Sequence, residues 1–564
     1  MLYKKHVNYL ILNKIFVAII FLFSFFYFVT TAFGTYNNYS AVPFWDMWNG
    51  YLEFYFRAAN EGWTPWWELH NEHRIVLAKA FFWLDLEYFK GSMVLLFTFN
   101  VIFSVLTCVT FISVLSGLVK DYTDKLLYYA VSGVLIVLCF SWLQSENYTW
   151  AFQSQFHMAY LLPLWAMLTL VKSKIENSLP VFLLACMLGM LSAVTMANGL
   201  LALPVMIALA VLVRMRWRYI ATLALIMSIV YFFYFIDYTK PAGHPSLFSS
   251  FIDNPKETIR YFLLYLSGPF YGIFVNYSRL AMAMGGVFLL GCLWALKYIL
   301  YSRVNDDEKY LKLSGLLAFL VFVGGTALLT SLGRAGYDPN IPSRYMTPAI
   351  LNWCCLLVIL TAMNYKRVKS NSFTYIALLF FPLALLPVQG RALTTPVHLH
   401  VHKVAAVAAA LGVHDDKILD RVYFNTDRLF TIIKPAKDKS ISIFNEKYIK
   451  DMYYFGDEFT LKPKTKCDIY LDKIEEVVNS SEYSRVLGWA FDKNLHKVPD
   501  SIVFVDSSNQ VVGFALTGSQ RTDVAEAIDP LALNSGFIGY VLSNTKIDSS
   551  THVYGVSDES VCGY

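Results

Sequence analysis

Residues 41–48 read AVPFWDMW and residues 66–74 read WWELHNEHR. Three carboxylates, Asp46, Glu68 and Glu72, stand there among tryptophans and histidines. A carboxylate near a hydroxyl takes its proton as a general base. An anionic leaving group needs fixed cations, and the arginine fork meets phosphate oxygens with two donors. Those cations stand in GRAGYDPNIPSRY (333–345) as Arg334 and Arg344, next to Tyr345. WLQSENYTWAFQSQFH (142–157) adds Gln144, Glu146, Gln153, Gln155 and His157, and TMANGL adds Asn198 and Gly199. The stretch 237–260 holds Asp237, Lys240, His244, Asp253 and Lys256, and the arginine-bearing stretch also holds Asp338. Trp and Tyr rings, Trp45 among them, suit the apolar faces of sugar rings. Together these residues have the chemistry of sugar transfer from a phosphate-bearing donor.

Each also has a plainer use. Trp45 and Asp46 suit an interfacial belt. Glu72 suits an ion pair with Arg74. HNEHR is not HExxH, so its spacing does not support zinc, although His70 and His73 would share one face of a helix. Arg334 and Arg344 suit headgroup anchors, and Gln153 and Gln155 suit helix ends.

The elements that must position these residues are membrane spans. The 564 residues are 56% hydrophobic and 15% charged, with mean hydropathy +0.47, which excludes an ordinary soluble globule. Residues 1–34 set Lys4, Lys5 and Lys14 before IFVAIIFLFSFFYFVTTAF, a retained first span rather than a cleaved signal. Apolar runs predict eleven spans: about 13–34, 92–117, 126–143, 157–172, 178–196, 199–213, 219–236, 280–300, 313–331, 346–362 and 373–388. Basic connections at Lys120–Lys125, Lys172–Lys174, Arg214–Arg218, Lys297–Lys312 and Lys366–Lys369 all fall on one side in this scheme, the cytoplasmic side by the positive-inside rule. The polar loops then share the other face, where a membrane-embedded polar cluster reads as functional. Residues 75–90, with Lys79, Asp85 and Glu87, and 259–276, broken at Ser267-Gly268-Pro269, read as interfacial or re-entrant.

The apolar pattern stops near 390. VHKVAAVAAALG (402–412) reads as a helix ended by Gly412. From about 440, runs such as SIVFVD and VVGFAL alternate with Asp-Ser-Ser-Asn and Asn-Ser-Gly turns, as half-buried strands do. Val503, Val505, Val511, Phe514 and Leu516 are the expected core-facing residues, and Trp489 and Phe491 are expected to pack between strands or meet a glycan. The domains are 1–390, transmembrane; 391–440, a helical linker; and 441–564, a β-rich domain outside the cytoplasm. There Cys467 and Cys562 are free to form a disulfide; no CxxC is present.

PFWDMW after the first span, HNEHR, ENYTWAFQSQF (146–156), ANGL and the GR…SRY element together resemble polytopic glycosyltransferases of the GT-C superfamily. More narrowly they look like the bacterial glucosyltransferases that decorate O-antigen. The resemblance covers about residues 1–390. It implies inverting transfer from a polyprenyl-phosphate sugar, such as undecaprenyl phosphate, to a lipopolysaccharide-like envelope glycan. It also implies a bacterial inner membrane, a cytoplasmic N-terminus and a periplasmic tail. Many members pair two acids in the first loop; here Asp46 stands alone in WDMW, with Glu72 as its competitor for the base. Arg334, Arg344 and Tyr345 are expected on the donor phosphate, and Trp45, His73, Glu146, Gln155, His157 and Asn198 on sugar or acceptor. No metal, cofactor or nucleic acid is expected. RVLGWAFD (485–492) and NSGFIGYV (534–541) resemble small β modules appended to such enzymes. A transporter or flippase of lipid-linked saccharides is the alternative, although no internal repeat of spans is visible; an assembly subunit of an envelope complex is a third reading.

Overall fold

The computed structural model describes residues 2–120, 125–239, 251–302, 307–334, 340–368, 371–545, 547, 551–558 and 560–563, with residues 2–9, 302, 307 and 367 described by backbone alone. The chain forms two compact units that interleave in sequence. Residues 1–39, 63–81 and 96–394 make a helical unit, and 40–62, 82–95 and 395–564 make a sheet-bearing unit.

Among the described residues, nine helices are long and apolar enough to cross a bilayer, and two shorter apolar helices, Leu179–Ala193 and Ala197–Leu212, accompany them. Asp307–Arg334, at 28 residues, rises about 42 Å, more than a hydrocarbon core of about 30 Å requires. The expected spans fall on observed helices, for example 92–117 on Val94–Leu118, 219–236 on Trp217–Phe235 and 280–300 on Ser278–Ser302. Outward faces are apolar: Phe232 is 68% and Leu290 67% exposed, the surface a lipid solvent accepts. Inside, some polar groups tie the helices together. The Gln389 amide donates to Thr30 and Thr31 hydroxyls at 2.8 and 2.9 Å and accepts from Trp142 N at 2.8 Å, pinning the first span to the last.

Four of the five basic connections of this unit come together. Glu308 takes Lys312 at 2.7 Å and Lys120 at 3.3 Å, Lys174 donates to the Arg214 carbonyl at 3.1 Å, and Tyr310 to that of Leu212 at 2.9 Å. The 75–90 stretch is one 14-residue helix, Val76–Phe89. The 259–276 stretch is two helices, Pro255–Ser267 and Pro269–Ile273. None reaches the roughly 20 residues of a span. The break sits at Gly268, with φ +53°, where a Cβ would lie 2.4 Å from Trp353 Cδ1; both the turn and the close approach require glycine.

In the sheet-bearing unit eight strands form one sheet: β1 (Thr465–Lys466), β2 (Asp468–Val477), β3 (Ser480–Phe491), β4 (Ser501–Val505), β5 (Val511–Ser519), β6 (Gly536–Leu542), β7 (His552–Val556) and β8 (Val561–Gly563). Their order is β1-β8-β7-β4-β5-β6-β3-β2, parallel only between β1 and β8. Cys467 and Cys562, Cα atoms 5.3 Å apart, form a disulfide across 95 residues, inside a core with Ile502, Phe504, Ala515 and Phe537. The strands at the centre depart from the half-buried expectation. Val503, Val505, Val511, Phe514 and Leu516 are buried, but so are Ile502 and Phe504 on the alternate face. The helix His398–Leu411 explains this: it packs on β5 and β6 and buries Val404–Ala410, so the central strands are covered on both sides. Gly412 ends that helix at φ +79°. Residues 391–440 thus carry helices, including Thr426–Lys439, that mostly belong to this unit.

Candidate functional site

The helical unit brings together four of the chemistry-bearing stretches. Pro342 opens a short 3₁₀ turn, Ser343–Tyr345, that grips Glu146. Arg344 Nη1 lies 2.5 Å from Glu146 Oε1; Arg344 N and Ser343 Oγ donate to Oε2 at 3.3 and 3.2 Å. Both charged side chains are about a quarter exposed. The guanidinium carbon stands 5.3 Å from the Tyr345 ring. Asn147 secures the arrangement, donating to the Arg344 carbonyl at 2.8 Å and to Thr347 Oγ1 at 2.6 Å. The contact to Glu146 uses Nη1, one end of the fork, while a bidentate phosphate grip uses two donors.

From Glu146 the chain runs through Trp150, stacked on Phe152 at 5.6 Å, and Phe152 meets the His70 ring edge-on at 5.1 Å. HNEHR is not a helix. His70 and His73 exchange backbone hydrogen bonds of 2.8 and 3.0 Å, with Asn71 at φ +52°, so Asn71 and Glu72 form the tip of a tight turn. His73 Nδ1 accepts from Ala197 N at 3.2 Å, which leaves the neutral ring's proton on Nε2, 3.6 Å from Glu72 Oε1. The turn therefore docks on Ala197–Leu201, the ANGL segment. Gly199 is required there: a Cβ would lie 1.8 Å from the Ser192 carbonyl oxygen.

Arg74 does not pair with Glu72. It is 2% exposed and its guanidinium is spent on the carbonyls of Tyr234 (2.8 Å), Trp67 and Ile236 (2.5 Å). The Tyr234 hydroxyl in turn reaches the Glu72 carbonyl at 3.3 Å. Arg74 and Tyr234 were not foreseen as a clamp on this loop; the partners lie 160 residues apart, beyond any local signal.

Other expected residues take distinct places. His157 is buried, between Ser104 Oγ (3.4 Å) and the Asn147 carbonyl (3.3 Å), where it supports the loop from beneath. Gln153 is fully buried, and neither amide atom has a hydrogen-bond partner among the described residues; the same holds for half-buried Asn198 and for Gln155 Oε1. Buried amides without protein partners point to water or ligand. Arg334 ends its helix half-buried. Asp121, Lys240, His244, Asp338 and Lys369 lie outside the described residues.

Trp45 and Asp46 belong to the sheet-bearing unit. Trp45, at φ +49° and 54% exposed, anchors by its N–H on the Val422 carbonyl at 2.8 Å. Phe44 stacks on His402 at 5.2 Å. A π-helical turn, Trp48–Glu53, follows, a geometry frequent at functional sites. The Tyr423 hydroxyl feels Asp46, Glu53 and Arg428 together, and burial with the two carboxylates holds its pKa above the ordinary value. Glu53 pairs with Arg428 at 2.7 Å. Thus Asp46 has a second acid, Glu53, in its neighbourhood.

Cys467, Asp492 and Cys562 have metal-ligand proximity, but the two sulfurs are joined and Asp492 accepts from Thr465, Asn494 and Leu495. The trio is a structural knot. No protein-family model, no curated protein and no solved structure matches this chain.

Proposed function

We propose that the protein is a membrane glycosyltransferase that moves a sugar from a polyprenyl-phosphate carrier to an envelope glycan on the extracytoplasmic face. The observation that supports this most is the linked cluster of the helical unit: the Ser343–Arg344 grip on Glu146, the His70–His73 turn docked on Ala197, and the orphaned amides of Gln153 and Asn198. It combines a cation for an anionic leaving group, an acid and a histidine, and amides suited to sugar hydroxyls. Arg344, with Arg334, is the proposed anchor of the carrier phosphate. Glu72 is the candidate base within this unit, and Asp46, with Glu53 near it, is the candidate in the other. The base takes the acceptor hydroxyl's proton, the oxygen attacks the anomeric carbon, and the carrier phosphate leaves with inversion. The resemblance to the GT-C superfamily favours Asp46.

The nine long and two shorter apolar helices among the described residues are read as eleven spans, with the N-terminus cytoplasmic. The composition of the sheet-bearing unit supports the odd number: segments 40–62 and 395–564 fold together, so an even number of crossings separates them. Its disulfide suits an oxidising compartment. The transporter reading has no observation of its own here.

The test uses purified protein with a polyprenyl-phosphate sugar and a glycan acceptor. Release of lipid phosphate coupled to sugar transfer is expected. Asp46→Asn and Glu72→Gln, assayed separately, should single out one residue whose loss lowers turnover by at least about 10²-fold, the scale of positioned proton transfer. Translocation in sealed vesicles without bond cleavage would replace the enzyme with a flippase.

A further inference from the structure

The sheet-bearing unit contains an open cavity of about 670 Å³, within the range of about 300–1,000 Å³ typical of small-molecule sites. Phe514 and Leu516 of β5 lie beneath its floor, 1% and 5% exposed, and the apolar surface open to it is that of half-buried Tyr448, Tyr453 and Val556. Tyr448 and Tyr453 line its wall. The rim carries alternating charge. Lys447 meets Asp558 at 2.5 Å, both well exposed, and Lys403 stands 5.7 Å from the Tyr448 ring. Asp451 and Asp500 complete the rim, both exposed.

We infer that this cavity is a carbohydrate-binding site for neutral pyranose rings. The half-buried Tyr448 and Tyr453 rings match the C–H face of a pyranose. A rim of carboxylates and ammonium groups supplies acceptors and donors to its equatorial hydroxyls, and charged partners make the stronger hydrogen bonds. Three aspartates against two lysines disfavour a phosphate or another anion, while the two lysines disfavour a cation. The Lys447–Asp558 pair is no obstacle, because an exposed ion pair contributes little and opens readily. Trp489 and Phe491, expected either to pack between strands or to meet a glycan, do not line this cavity. Phe491 is fully buried, and Trp489 lies against Tyr470 and beside Val498 and Ile528. That the bound rings belong to the acceptor of the transferase rests on the proposed function; recognition of pyranoses does not.

The experiment is saturation-transfer NMR on the full chain in a detergent without sugar headgroups. The probes are methyl pyranosides of gluco, galacto, manno and rhamno configuration, trisaccharides of the same sugars, and inorganic phosphate as the charged control. The expected result is binding of at least one neutral saccharide and none of phosphate. The Asp451→Ala/Asp500→Ala variant, altered only at exposed positions, should raise the saccharide Kd at least about tenfold, and Tyr453→Ala should do the same. Unchanged melting temperatures would show that both variants fold. No saccharide binding, phosphate binding instead, or saccharide binding that neither variant weakens overturns the inference. Lipid-linked sugar transfer by the same wild-type sample separates the two claims. Binding without transfer removes only the transferase, and transfer without binding removes only the cavity.

Discussion

At residue scale the two charges that carry the proposal are already paired with each other. Glu146 neutralises Arg344, so binding of a carrier phosphate there would mean sharing or exchanging that partner. Arg344→Ala should weaken donor-lipid binding at least about tenfold, as loss of a charge-assisted contact does. Arg344→Lys should recover only part of it, because the fork geometry is lost. Unchanged binding of labelled donor lipid in both variants would remove Arg344 from the phosphate site. Asp85 offers a second test, independent of catalysis. Its carboxyl is fully buried, and burial pushes its pKa up to about 6, against hydrogen bonds from the Tyr51 hydroxyl (2.8 Å) and Met93 N (3.1 Å) that favour the charged form. The folded value exceeds the unfolded one, 3.8, so the folded chain holds the extra proton between about pH 4 and 6. The stability Asp85 contributes is fully present below about pH 4 and is lost as pH rises through about 6, by up to roughly 3 kcal/mol. Asp85→Asn keeps an acceptor for Tyr51 and should flatten that slope in thermal unfolding followed over pH 4–7; an unaltered slope would mean another group titrates.

At the scale of elements, the spans were legible because about 20 apolar residues in a row have few other uses. The short irregular stretches were legible for the converse reason: Lys79, Asp85 and Glu87 interrupt one, and Ser267-Gly268-Pro269 the other. What the residues themselves did not disclose was non-local. His70 and His73, three apart, suited one helix face, yet Asn71 turns left-handed and the two form a turn. Arg74 looked like a partner for Glu72 until three distant carbonyls claimed it. The pairing of Glu146 with Arg344 spans 198 residues, and no pattern within either stretch encodes it. The alternation of β4 and β5 reads as half-buried in sequence because the covering helix, His398–Leu411, lies almost a hundred residues upstream. Gly199 tests how tightly the HNEHR turn depends on its platform. Gly199→Ala drives a methyl into the Ser192 carbonyl and should cost about 1–3 kcal/mol, the scale of overpacking. Thermal stability should fall, and transfer should fall with it if the platform positions the site. A melting temperature equal to wild type would show that the 192–199 backbone relaxes freely.

At the scale of the whole molecule, the disulfide and the membrane topology can be probed together. Cys467→Ser should destabilise the sheet-bearing unit by about 2–5 kcal/mol, the usual loss for a native bridge, seen as earlier unfolding of the sheet in denaturant. Ser507, exposed in the turn between β4 and β5, should react as Ser507→Cys with an impermeant thiol reagent once the outer membrane alone is opened. Reaction only after the inner membrane is permeabilised would place the sheet in the cytoplasm and require one span more or fewer. The composition of the sheet-bearing unit also bears on how the chain is made. Trp48 and Tyr51 are fully buried, and their unit is completed by residues 395–564; Trp48 packs near Tyr423, and Ser442 N donates to the Lys90 carbonyl at 2.8 Å. At roughly 5–20 residues per second, the ribosome needs on the order of 25–100 s to travel from residue 62 to the end. During that interval the first loop has left the membrane but lacks most of its fold, an apolar surface waiting for a partner still being synthesised. A chain stopped at residue 394 never leaves that state, and protease should cut it within 40–62 while the complete protein resists; equal resistance would show that the loop holds its structure alone. On the proposed topology the growing chain is therefore an early client for holdase chaperones of the periplasm, and the yield of the complete protein should depend on them more than the number of its spans would suggest.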